Sequence, residues 1–139
     1  LVDEARVAFS AEAGYDPFTL GGDLWYAFIE IPRGKKPEAA EARFWDVVRE
    51  LARGDFGDDE LARVKRNVRA EYIYAQDSLY LRAMRLGRLE TLGIGAANAE
   101  RWLELIANVS REDVMRVVKR YLRPERATIG VLQPMEAQR

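Results

Sequence analysis

The chain has 139 residues, 22 Lys and Arg against 23 Asp and Glu for a net charge of -1, and neither His nor Cys. That length fits one ordinary domain, which buries about two-thirds of the surface its unfolded chain exposes. The balanced charge leaves no electrostatic footprint for nucleic acid or an anionic membrane surface, and the missing His and Cys exclude disulfides, thiolate chemistry, a His-based nucleophile pair and an ordinary zinc site.

No apolar run approaches the roughly 18 residues of a membrane span, and no signal peptide is visible. What remains for chemistry is carboxylates, Lys, Arg, Tyr and hydroxyls. The composition leaves the compartment open, with periplasm and cytoplasm both compatible.

The first third reads as β. Ala5, Val7, Phe9, Ala11 and Ala13 alternate with Arg6, Ser10 and Glu12, which predicts a strand with one buried face and leaves Ala8 ambiguous. The chain opens at Leu1, not Met, in the middle of what reads as a strand, and is expected to be a piece of a longer polypeptide. GYDPFTLGGD, rich in Gly, Pro and Asp, predicts a loop. Leu24–Ile31 is aromatic and β-branched with few polar positions, and predicts a central strand or one covered on both faces. So short a connection predicts an antiparallel pair.

The middle reads as helices. Pro37 suits a first helical position and Gly54 a stop, with Ala40, Phe44, Val47, Val48 and Leu51 as one stripe between them. Asp58 or Asp59 is expected to cap a second helix carrying Leu61, Val64, Val68 and Tyr72. Asp77 or Ser78 starts a third, with Leu79, Ala83, Leu86 and Glu90 along one line and Gly93 and Gly95 as its stop. Asn98 is expected to cap a short helix with Trp102, Leu105 and Ile106. Ser110 with Asp113 predicts a capping box for a last helix carrying Val114, Val117, Val118 and Tyr121, ended by Pro124. Ala127–Pro134 reads as a final strand, and residues 135–139 as a tail. Segregated strands and helices predict an α+β domain over residues 1–134, an antiparallel sheet with helices packed on one face. Three strands are few for so many helices, so further strands are expected from before Leu1 or from a second copy.

Five features invite a functional reading. The basic run Arg63, Lys65, Arg66 and Arg69 offers a grip for an anion, but acidic neighbours Asp58, Asp59, Glu60 and Glu71 make it a solvated helix face. Trp25, Tyr26, Phe28, Tyr72, Tyr74 and Tyr80 read as core packing, since Trp25 and Phe28 fall on opposite faces of one strand and cannot line one surface. Glu90, in an otherwise apolar helix, reads as the partner of Arg82, Arg85 or Arg88 ahead of a titrating group. GIGAAN, from Gly93 to Asn98, lacks the spacing and the preceding strand of a phosphate loop. Gly87, mid-helix, follows Leu79 and Ala83 at four-residue intervals, a groove that predicts close approach of another element.

Two stretches carry a family likeness. GDFGDDELARVKRNVRAEYIYAQDSLYLRAMRLGRLETLG and VSREDVMRVVKRYLRPERATIGVLQP resemble, in order and spacing, segments of the insulinase/pitrilysin-type zinc metallopeptidases. The opening, LVDEARVAFSAEAGYDPFTLGGDLWYAFIEI, fits that family's paired strands more loosely. The resemblance implies a protein built of related α+β domains closing as a clamshell around a peptide. The family's zinc motif, H-x-x-E-H with a downstream Glu, is absent, so the resemblance implies the later part of a non-catalytic, C-terminal-type domain. It implies zinc for a separate catalytic domain or subunit and none for this chain. The family's substrate-holding Arg would precede Leu1, and its Tyr would fall near Asp3, which is not Tyr. No catalytic, metal or substrate-binding residue is therefore carried over.

The expected role is to close the peptide chamber and support proteolysis by that catalytic part, this chain alone being inactive. The alternative is a peptidase-like assembly protein without proteolysis. An anion- or nucleic-acid-binding module rests on the basic face alone. Expected partners are a peptide substrate, the catalytic domain or subunit, and a second copy through an exposed edge strand.

Overall fold

Two hydrogen-bonded strands and five α-helices organise the described part of the chain, residues 1–2 and 6–132 of a computed structural model. Strands β1 (Ser10–Gly14) and β2 (Tyr26–Glu30) run antiparallel, with Ala11 opposite Ile29 and Ala13 opposite Ala27. The pleat gathers these four side chains on one face. That face lies over helix α1 (Pro37–Arg53), which presents Phe44, Val47, Val48 and Leu51 to it. Helix α5 (Arg111–Tyr121) packs along α1 and buries Val118. Helix α2 (Asp58–Ala75) packs on α4 (Arg101–Ala107), and α3 (Leu79–Thr91) on a 3-10 turn at Ala96–Asn98. The architecture is α+β, an antiparallel sheet with helices on one face.

Local chemistry explains the helix ends. Pro37 opens α1, where its missing N–H costs nothing. Gly54 closes it at φ 81°, donating its N–H to the carbonyls of Glu50 and Leu51. A side chain at Gly54 would also meet Met115 Sδ at 2.9 Å, so Met115 of α5 would have to shift to admit one. Arg111 fastens the same junction, donating to the Gly54 carbonyl at 2.9 Å and to Asp58 at 2.6 Å. Ser78 caps α3 by accepting from the Leu81 N–H, and Ser110 and Asp113 form a reciprocal capping box on α5.

Several expectations are corrected. The first strand is shorter than its alternation suggests. Arg6 sits at φ 49° and breaks the extended run, Ala8 is buried, Phe9 is exposed, and Ala5 lies outside the described residues. Strand β2 is open on its outer face, where Tyr26 and Phe28 are exposed. Residues 127–132 form no strand, because no neighbouring strand offers them a ladder; Pro134 and the tail lie outside the described residues. Gly57 rather than Asp58 or Asp59 holds the capping position of α2, so these acids favour the helix dipole from its first turn. Asn98 does not cap α4; its side-chain amide donates to the Ile94 carbonyl, and Glu100 stands at the cap. Helix α5 ends at Tyr121, and Pro124 opens a further 3-10 turn.

Candidate functional site

Between sheet and helices lies a groove of about 210 Å³ lined by Leu1, Ala11, Glu12, Ala13, Trp25, Ala27, Ile29, Phe44, Val47, Val48, Leu51 and Leu122. Sequence makes the space. Three of the sheet positions on the groove are alanines that stay exposed, against the expected buried strand face, so side-chain volume is missing on the sheet side while α1 supplies large residues. Trp25 and Phe44 meet with ring centroids 6.0 Å apart, and Trp45 packs edge-on against Phe44 at 5.0 Å. Its volume falls below the roughly 300–1,000 Å³ of sites for drug-sized ligands and suits a single apolar side chain. The groove can bury apolar area, and Glu12 places one acidic residue at its lining.

A second constellation ties the loop between the strands to the helices. Arg88 on α3 donates through Nε to the Phe18 carbonyl at 2.9 Å and through its other end to the Asp16 carboxylate. Phe18 packs against Trp102 of α4 with centroids 5.2 Å apart. Asp16 also accepts the Phe18 N–H at 2.9 Å, and Asp23 accepts the Asp16 N–H at 3.0 Å. The Arg88 hydrogen bond first, and the Phe18 N–H second, hold the Asp16 carboxyl below its ordinary range. Arg88 entered the sequence reading only as a partner for Glu90, and Asp16 and Phe18 only as loop residues. Their join spans 72 positions, and no local spacing signals it.

The residues singled out by sequence do not converge. Lys65 donates to the Ala107 carbonyl at 2.9 Å, tying α2 to α4, while Arg63, Arg66 and Arg69 lie exposed. Of the six aromatics read as core, Tyr72 is buried, with its hydroxyl donating to the Ala99 carbonyl at 3.1 Å and Arg85 4.0 Å from its ring centroid. Trp25 lines the groove but is exposed, as are Tyr26, Phe28, Tyr74 and Tyr80, so core packing fails for those five. Trp25 and Phe28 do fall on opposite sides of their strand.

Glu90 pairs with none of Arg82, Arg85 and Arg88. It is exposed and accepts the Ala96 N–H at 2.6 Å, which fastens the GIGAAN turn to α3. Gly87 has open space around it, so the close approach expected there is absent. The line Leu79, Ala83, Gly87 points outward, and α3 instead buries Leu89. Asp3 lies outside the described residues.

Set against solved structures, the fold matches the crystal structure of a protease from Helicobacter pylori. The TM-score is 0.75 at 21% sequence identity, over 88% of this chain and 29% of that chain. This chain thus spans under a third of the protease it resembles. No family profile and no curated protein matches the sequence. At that identity the likeness establishes a shared fold, that of a segment of a protease.

Proposed function

We propose that this chain is the later part of a non-catalytic domain of an insulinase/pitrilysin-type zinc metalloendopeptidase, closing the peptide chamber while another domain or subunit hydrolyses the peptide bond. The observation that carries the reading is the fold likeness to one segment of a protease. Two sequence features support it: the ordered motifs from Gly54 to Pro134, and the lack of any His or Cys.

The residues present do not fit a catalytic zinc ion. Such sites take their ligands from His, Cys and carboxylates, usually with at least one His. This chain has no His, and its described residues hold no cluster of three or more carboxylates that could bind a metal. No hydrolytic step is therefore assigned to it. Its part is architectural: a sheet face closed by α1, and a loop latched to α3 by Arg88.

Zinc analysis tests the division of labour. The purified chain is expected to retain no zinc after dialysis, and the longer polypeptide or complex that contains it to retain about one ion per catalytic unit. Stoichiometric zinc on the isolated chain would overturn the reading.

A further inference from the structure

The closest packing divides the described elements into two bodies. In the first, β1 and β2 lie over α1, and α1 packs along α5. In the second, α2 packs on α4, and α3 on the turn at Ala96–Asn98. Lys65 donates to the Ala107 carbonyl and Tyr72 to the Ala99 carbonyl, which runs α2 and α4 antiparallel within that body. Arg85 lies over the Tyr72 ring. Helix α3 therefore sits beside the far part of α2, about 21 Å along that helix from Asp58.

The chain crosses between the bodies twice, at residues 54–57 and at residues 108–110. One side chain brings the two crossings together. Arg111, next after the second, donates to the Gly54 carbonyl at 2.9 Å and to Asp58 at 2.6 Å, and its guanidinium lies 5.0 Å from the Phe56 ring centroid. Two crossings held side by side define an axis. Short segments at the ends of helices are where hinge rotation is absorbed.

Away from that axis the bodies meet again where Arg88 of α3 holds Asp16 and the Phe18 carbonyl, and Phe18 packs on Trp102 of α4. The Arg88–Asp16 pair is about half exposed, and such pairs contribute little to stability. We infer that the two bodies are hinged at residues 54–57 and 108–110 and are held closed by this clasp. Opening parts Phe18 from Trp102 and draws α3 off the loop between the strands, while each body keeps its own packing. A turn of about 15° would carry α3 roughly 5 Å.

The absence of native cysteine allows spin labels at chosen pairs of positions. Labels on Ala42→Cys in α1 and Ala83→Cys in α3 measure the distance between the bodies. Labels on Ala42→Cys and Lys119→Cys in α5 measure a distance within one body. All three positions are exposed. With the clasp intact, pulsed electron resonance is expected to give one narrow distance for each pair. Arg88→Ala combined with Phe18→Ser is expected to add a second population between the bodies, longer by roughly 5 Å. The distance within the first body and the helical circular dichroism are expected to stay unchanged. A distance between the bodies that the double substitution does not move would overturn the inference. So would broadening of both distances with loss of helical signal, because bodies that unfold on release are not hinged.

Discussion

Asp113 shows how a single side chain can carry an element's pH dependence. Arg116 donates to it at 2.6 Å, and the Ser110 N–H and hydroxyl donate at 3.0 and 2.9 Å. These bonds, the Arg116 one first, lower its pKa from 3.8 to about 2. A carboxylate depressed by folding stabilises the native state above its unfolded pKa, and that contribution disappears as pH falls through the folded value. Asp113→Asn is therefore expected to lower the Tm at pH 7, with the gap to the parent chain closing between about pH 4 and pH 2. A gap that stays constant through that window would contradict the assignment. The Ser110–Asp113 pair was readable because its spacing is local; Asp16, lowered in the same direction, was not, because its arginine lies 72 positions away.

At the scale of elements, helix extents were legible and helix orientation was not. Pro37, Gly54, Ser78 and the Ser110–Asp113 pair mark α1, α3 and α5 because capping is satisfied within a turn. The side that faces inward depends on neighbours. The stripe of α1 does bury Ala40 and Val48, yet the line chosen for α3 faces solvent because Leu89, one position off it, meets the rest of the fold. Strands fared worse for the same reason: residues 127–132 have β-branched composition, but a strand exists only where a partner completes its ladder.

The loop between β1 and β2 gains its shape from α3, and Arg88→Ala tests this. Exposed ion pairs contribute little to stability, so the Tm should fall only slightly. Limited proteolysis between Tyr15 and Leu24 should accelerate severalfold, since Asp16 and Phe18 lose their tie to the helix. Unchanged cleavage of that loop would show that Phe18 packing on Trp102 suffices alone.

Over the whole molecule, modest burial is the dominant feature. The buried apolar residues among those described are Ala8, Ala40, Val48, Tyr72, Leu89 and Val118, while many large side chains are exposed. The exposed large side chains include Leu20, Leu24, Phe28, Tyr74, Leu79 and Leu132. The candidate groove follows from residue size, because three alanines face Phe44 and Trp25. Ala11 and Ala13 were legible as one strand face, but the space they leave with Ala27 required the sheet and α1 together.

Peptide hydrolysis, with and without a metal chelator, tests the central claim most directly. The 139-residue chain alone should cleave no peptide from a mixed fluorogenic library, and the longer polypeptide or complex that contains it should cleave in a chelator-sensitive manner. Cleavage by the isolated chain, or a correctly folded assembly that cleaves nothing, would contradict the account.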